Sequence, residues 1–101
     1  MPLIAKWAAE MQIAMPTLGI RRMKTRWGTC NTSARRIWLN LELIKKPPAC
    51  MDYVVVHELL HLLERKHSER FVALLEKALP NWKTLRDELN TAPLAHEEWN
   101  A

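Results

Sequence analysis

Three residues in the middle of the chain have the chemistry of a metal site. The segment His57-Glu58-Leu59-Leu60-His61 places two imidazoles four residues apart. On a helix, this spacing leaves them roughly 40° apart around the axis and about 6 Å apart along it, so both can reach one small cation. Glu58 follows the first imidazole and can accept a hydrogen bond from a metal-bound water without binding the metal. These residue types at these offsets indicate a hydrolytic metal site.

A third ligand is needed, because a catalytic zinc ion is bound by three protein side chains and keeps its fourth position for water. His67 lies ten residues beyond the first imidazole, which on one continuous helix is too far along the axis. It can bind the same ion only if the helix ends near residues 65–66, and Ser68 is a good N-cap for a new helix. The alternative third ligands are two carboxylates on that next helix, Glu69 and Glu76.

The chemistry expected of this site is hydrolysis of a peptide bond. Zinc lowers the pKa of a bound water from about 15.7 towards about 7, and Glu58 would accept its proton and pass it to the leaving amine. Tyr53 lies one helical turn before His57. A lone tyrosine on a buried helix is more often a core residue, so we assign no oxyanion stabiliser.

The first half of the chain predicts one helix and a hairpin. Apolar residues at three-four spacing predict an amphipathic helix over residues 3–11. Basic and apolar residues alternate over residues 20–27, which predicts a strand, and residues 36–41 are rich in β-formers. Residues 29–33 between them are turn-like, so the two runs are expected to form an antiparallel hairpin.

The second half predicts three helices. Residues 48–65 are apolar on nearly every side of a helical wheel, so this helix, with the two histidines, is expected in the middle of the fold. A second helix is expected from the Ser68 cap to about Leu79, and a third over residues 81–89. The chain from about residue 90 is expected to be a loosely held tail.

Length and composition limit the other possibilities. At 101 residues the chain is expected to form one domain, residues 1–101, and 49% hydrophobic residues exclude general disorder. No apolar run approaches the roughly 18–20 residues of a membrane span. Lys6 and Glu10 interrupt the N-terminal stretch where a signal peptide needs an apolar centre, so we predict a cytoplasmic protein. Cys30 and Cys50 stand in unrelated contexts and are expected to be free thiols.

A basic segment leaves two interpretations open. The formal net charge is +4, and no acidic residue occurs between positions 21 and 36. Such a segment can contact nucleic acid. It can also be the solvated face of a small sheet, because basic side chains protect exposed strands from pairing, and this second interpretation is favoured. The basic residues are Arg21, Arg22, Lys24, Arg26, Arg35 and Arg36.

Four segments together resemble the YgjP-like zinc metallopeptidase family, which is related to the WLM and SprT families. They are residues 22–31, with Arg-Trp-Gly-Thr-Cys, residues 36–44, with Arg-Ile-Trp-Leu-Asn-Leu, residues 53–62 and residues 67–71. The resemblance runs from about residue 19 to residue 89. It implies an α+β, zincin-like fold in which a small antiparallel sheet packs on an active-site helix, with two C-terminal helices. It also implies Zn²⁺ as the cofactor and a peptide or unfolded protein as the substrate. By this resemblance His57, His61 and His67 bind the zinc and Glu58 is the general base.

The resemblance also suggests how a substrate would be bound. An edge strand is expected to hold an extended peptide by β-augmentation. Trp27 and Trp38, in the segments that would line the cleft, are candidate substrate-binding residues or ordinary core tryptophans. Thr29 stands where the family usually has Ser, which keeps the hydroxyl. The family's long β-rich N-terminal region has no counterpart here, so a short form is expected, with an open cleft that self-association into a homo-oligomer would cover.

Two functions other than peptide hydrolysis stay open. One is a zinc-stabilised module that binds nucleic acid or protein, with the basic segment between Arg21 and Arg36 as its contact surface. The other is a weakly active remnant that still binds metal.

Overall fold

The computed structural model describes residues 2–91, and within them four α-helices accompany a three-stranded sheet. The α+β class expected from the sequence is confirmed. The predicted tail from about residue 90 lies almost wholly outside the described residues. The elements in chain order are α1 (Pro2–Glu10), β1 (Thr17–Arg21), β2 (Gly28–Asn31), β3 (Arg36–Asn40), a 3₁₀ turn (Leu41–Lys45), α2 (Pro48–Leu60), α3 (Glu69–Ala78) and α4 (Trp82–Asn90).

The sheet is mixed, with β3 in the middle and β1 and β2 on either side. β2 runs antiparallel to β3, with Gly28 opposite Leu39, whereas β1 runs parallel to β3, with Gly19 opposite Trp38. The expectation of a wholly antiparallel sheet is therefore wrong for β1. A hairpin is present, but the predicted strand over residues 20–27 is wrong: the strand that pairs with β3 is β2, which begins at Gly28 and lies mostly in the segment that was expected to be the turn.

A buried asparagine explains why residues 22–27 leave the sheet. Asn40 is 2% exposed, and its side-chain amide donates hydrogen bonds to the backbone carbonyls of Met23 at 2.8 Å and Arg26 at 2.7 Å. Satisfying buried carbonyls in this way stabilises a loop in place of a strand. The loop passes across the end of β3 and carries the chain from β1 on one side to β2 on the other, which makes β1 parallel to β3.

α2 is the central element of the fold. Residues 53–60 are all buried, and α2 contacts the sheet, α1, α3 and α4. The alternation of side chains along β3 turns Ile37 and Leu39 towards this helix and into the core. The helix that is apolar on nearly every side is thus where the sequence predicts it. None of the described helices has the length and apolarity needed to cross a membrane.

The end of α2 comes earlier than the sequence predicts. The helix stops at Leu60, and the backbone N–H groups of the next three residues bond three residues back, as in a 3₁₀ turn. The sequence suggested a longer helix because apolar residues continue beyond Leu60. Leu63 is 43% exposed, however, so it contributes little hydrophobic burial that would stabilise a further helical turn. The new helix begins where it was predicted, because the Oγ of Ser68 accepts a hydrogen bond from the N–H of Phe71 at 3.2 Å.

Removing the Ser68 cap should destabilise the protein measurably. We expect Ser68→Ala to lower the free energy of unfolding by about 1 kcal/mol, because the first turn of α3 loses a side-chain acceptor. Urea unfolding followed by circular dichroism measures the change. Ser33→Ala, at an exposed turn position, is the matched control and should be neutral. Equal effects of the two substitutions would contradict the assignment of Ser68 as a cap.

Candidate metal centre

Three imidazoles converge at the C-terminal end of α2. His57 lies on the last turn of the helix, His61 is its C-cap, and His67 returns from the loop before α3. One ring nitrogen from each histidine lies within 4.8 Å of the others, and this is the only such group among residues 2–91. The group contains His67, whereas the alternative ligands Glu69 and Glu76 are not part of it. The early end of α2 is what allows the chain to turn back.

The ring nitrogens of His61 and His67 have the spacing of two ligands on one ion. Their Nε2 atoms are 3.1 Å apart, close to the roughly 3.3 Å expected between two nitrogens bound to a tetrahedral zinc ion. His61 Nδ1 lies 3.0 Å from the carbonyl of Arg65. Because a carbonyl only accepts, Nδ1 carries the proton and Nε2 keeps its lone pair for a cation. The residues present therefore fit a metal ion.

Partial burial lowers the pKa of two of the imidazoles, those of His61 and His67. Desolvation lowers the pKa of His61, and the nearby His57 lowers it further. Desolvation likewise lowers the pKa of His67, again with a smaller contribution from His57 and then His61. Since a metal binds neutral imidazole, both shifts favour binding near neutral pH.

Glu58 lies between the first imidazole and the edge strand of the sheet. Its side chain is 3% exposed, and its Oε2 lies 3.0 Å from Nδ1 of His57. Cys30 is on the face of β2 that turns towards α2, and its thiol has a pKa raised to about 11, mainly by burial and then by the charge of Glu58. Cys30 and Cys50 are both free, as predicted.

A phenylalanine forms the apolar floor of the centre. Phe71, on the first turn of α3, is fully buried, and its ring centroid lies 5.4, 4.8 and 4.7 Å from those of His57, His61 and His67. The sequence indicates Phe71 only as part of an apolar stripe. Its contact with all three imidazoles depends on the path of the turn between α2 and α3; the Ser68 cap predicts that there is a turn but not the path it takes. The carbonyl of Arg65 was missed for the same reason.

A family model describes most of this sequence. The YgjP-like metallopeptidase domain matches residues 1–92 of the 101-residue chain. The chain belongs to the YgjP-like metallopeptidase family. The resemblance first seen in four short segments is thus confirmed, and with it the assignment of the chain as a metallopeptidase. No match was found among the curated proteins.

Solved structures share the fold of this YgjP-like metallopeptidase. The metallopeptidase zymogen abylysin of Pyrococcus abyssi superposes with a TM-score of 0.81 at 24% identity, over 89% of this chain and 90% of that one. The zymogen jannalysin of Methanocaldococcus jannaschii gives 0.78 at 14% identity, over 89% and 92%. At these identities the similarity shows the fold, which is zincin-like as expected.

Neither of the two candidate substrate-binding tryptophans lies beside the three histidines. Trp27 is 2% exposed, so a substrate cannot reach its ring, and it belongs to the core as the alternative interpretation had it. Trp38 lies on the sheet face opposite to Ile37 and Leu39, away from α2. Tyr53 is fully buried with its ring centroid 5.9 Å from that of His57, which is the position of a core residue beside the site.

Metal binding distinguishes His67 from Glu76 as the third ligand. We expect the purified protein to bind one zinc ion per chain, measured by competition with a chromophoric chelator. His67→Ala should weaken binding by at least about 100-fold, because a ligand is lost. Glu76→Gln is the matched control and should bind zinc as the wild type does. The opposite pattern, with Glu76→Gln defective and His67→Ala intact, would contradict this description of the centre.

Proposed function

We propose that the protein hydrolyses peptide bonds using a zinc ion held by His57, His61 and His67, with Glu58 as the general base. The observation that carries the proposal is the convergence of the three imidazoles beside a buried carboxylate. Membership of a metallopeptidase family supports the reaction class. Three neutral nitrogen ligands are the set that suits a catalytic zinc site.

In this proposal each residue has a separate task. Held by the three imidazoles, zinc would supply a Lewis acid and lower the pKa of a bound water to about 7. Glu58, almost wholly buried, is the carboxylate that would accept a proton and return it to the leaving nitrogen. The carbonyl of Arg65 holds His61 in the tautomer that leaves Nε2 free to bind. Phe71 covers the inner side of the imidazoles and keeps water out of the core there.

The outer edge of β2, with which no other strand of residues 2–91 pairs, is the proposed binding site for an extended peptide. β2 lies at one side of the sheet, and Asn40 N–H donates to the carbonyl of Trp27 at 2.9 Å. Because antiparallel pairs alternate, the peptide groups of Gly28 and Cys30 point away from β3. A peptide or an unfolded protein segment can pair with these groups, and Gly28 lies against Glu58, so the paired strand would run beside the base.

Replacing the general base should separate binding from catalysis. We expect Glu58→Gln to bind zinc as the wild type does and to lose cleavage of an unfolded protein such as casein by at least about 100-fold. The carboxamide has nearly the same shape but cannot accept the proton. Cleavage is followed by release of fluorescent fragments, with zinc content measured on the same samples.

Two results would contradict the proposal. A Glu58→Gln variant that cleaves as well as the wild type would exclude Glu58 as the base. A zinc-loaded wild type that cleaves no peptide or protein would favour the weakly active remnant instead.

A second candidate function is binding of single-stranded nucleic acid by the outer face of the sheet. On this face the guanidinium carbons of Arg21 and Arg36 lie 4.3 and 5.4 Å from the ring centroid of Trp38. The strand residues that share this face carry no carboxylate. A stacking ring flanked by cations is what base stacking and phosphate contacts require. We therefore keep this candidate beside the first, on a surface separate from the metal centre.

Nucleic-acid binding is measured by fluorescence anisotropy with a labelled oligothymidine at several salt concentrations. If this face binds it, Trp38→Ala should weaken binding roughly tenfold, because one stacking contact is lost. The double variant Arg21→Gln/Arg36→Gln should also reduce the salt dependence. The control Lys77→Gln/Lys83→Gln changes the charge by the same amount on the helices, and it should leave the salt dependence of binding unchanged. Equal losses in both double variants would reveal only non-specific attraction and exclude the candidate.

Three further statements belong to the proposal. A cytoplasmic location and a single domain over residues 1–101 stay predictions from the sequence. Self-association to cover an open cleft also stays a prediction, which size-exclusion chromatography with light scattering tests directly.

A further inference from the structure

One glycine of the edge strand lies directly against Glu58, beside the metal centre. A Cβ atom built on Gly28 would lie 2.8 Å from Cγ1 of Val54, 3.1 Å from Cγ of Glu58 and 3.2 Å from its Oε2. Carbon atoms at van der Waals contact are about 3.5–4.0 Å apart, so the two carbon–carbon distances are too short for unstrained packing. The distance to the oxygen is also tighter than most contacts of a real Cβ atom. The space that a side chain would need is occupied by the carboxylate arm of Glu58 and by the residue one helical turn before it.

The conformation of the backbone does not explain this glycine. No glycine among residues 2–91 has a positive φ, so any residue could adopt the backbone geometry of Gly28. A glycine inside a strand lowers its stability and often marks a close approach by another group. Here the approaching group is Glu58, which is buried and whose Oε2 lies 3.0 Å from Nδ1 of His57. What distinguishes Gly28 from other residues at this position is therefore its lack of a side chain, which leaves space for Glu58.

We propose that Gly28 is a positioning residue for Glu58: its missing side chain leaves the carboxylate the room to lie against β2 and beside the imidazoles. The inference rests on the proposed function, because it assigns Glu58 the role of base. An alanine here would push on two residues of α2 at once. Pressure on Val54 would separate the strand from the helix, whereas pressure on Glu58 would move the carboxylate.

The two effects can be separated by giving the methyl group room beside position 54. In Gly28→Ala/Val54→Ala the 2.8 Å contact is gone, since the shortened side chain at position 54 has no Cγ1, and of the three closest contacts the two with Glu58 persist. Val54→Ala alone measures the cost of the smaller core residue. Gly19→Ala is a control for strain within the sheet, because its Cβ would overlap the ring of Trp38 on the opposite face, more severely than at Gly28, without touching Glu58.

Steady-state cleavage of a fluorogenic peptide is the first readout. We expect kcat of Gly28→Ala/Val54→Ala to fall several-fold below that of Val54→Ala, because Glu58 must move by a few tenths of an ångström to make room for the methyl group and a misplacement of about 1 Å costs about 100-fold. KM should change less than about twofold, since the peptide groups of β2 keep their direction. Gly19→Ala, which strains the sheet without touching Glu58, should lose less kcat than the double variant loses relative to Val54→Ala. Equal kcat values for the double variant and Val54→Ala would overturn the proposal.

A crystal structure of the double variant is the second readout and does not depend on activity. We expect the carboxylate of Glu58 to be displaced away from β2, with its Oε2 farther than 3.0 Å from Nδ1 of His57, while the three imidazoles keep their positions. A Glu58 carboxylate that keeps its position beside the new methyl group would overturn the proposal even if activity fell. If the wild type cleaves nothing, the proposed function fails, yet this structure still decides whether Gly28 places Glu58. Should Gly28→Ala alone not fold, the double variant carries both measurements.

Discussion

The turn between α2 and α3 is the constraint on which the metal centre depends. Two histidines one turn apart on a helix supply two of the three protein ligands, and the third must approach the ion from another direction. α2 ends at Leu60, and the chain then turns so that Nε2 of His67 lies 3.1 Å from Nε2 of His61. The Ser68 cap fixes the start of α3 immediately after His67. Phe71, on the same first turn, then packs against all three rings.

The rest of the fold holds the N-terminal side of that turn in place. α2 is surrounded by the sheet and the other helices, so the last turn that carries His57 has little freedom. Asn40 keeps the loop between β1 and β2 against the end of β3, and the chain enters β2 directly after that loop. The edge strand therefore meets α2 at Gly28, beside Glu58. The proposed base and the candidate peptide-binding edge are thus placed by one contact between a strand and a helix.

The parts of the structure with local chemical signals could be predicted from the sequence. The spacing of His57 and His61, the Ser68 cap and the apolar periodicity of the helices each act within a few residues. The parallel pairing of β1 could not be predicted, because it depends on hydrogen bonds from Asn40 to carbonyls at least 14 residues away. The alternation of basic and apolar residues over positions 20–27 predicted a strand. The hydrogen bonds from Asn40 hold most of this segment in a loop instead. The burial of Trp27 and the outward position of Trp38 are likewise set by register, which short segments do not encode.

The central claim is that three histidines hold one metal ion and leave a position open for water. A crystal structure of the zinc-loaded protein, with anomalous diffraction at the zinc edge, measures this directly. The account predicts a single zinc peak bound by nitrogens of His57, His61 and His67, with a water as the fourth ligand. A fourth protein ligand that closes the site, or a carboxylate such as Glu76 in place of His67, would contradict it.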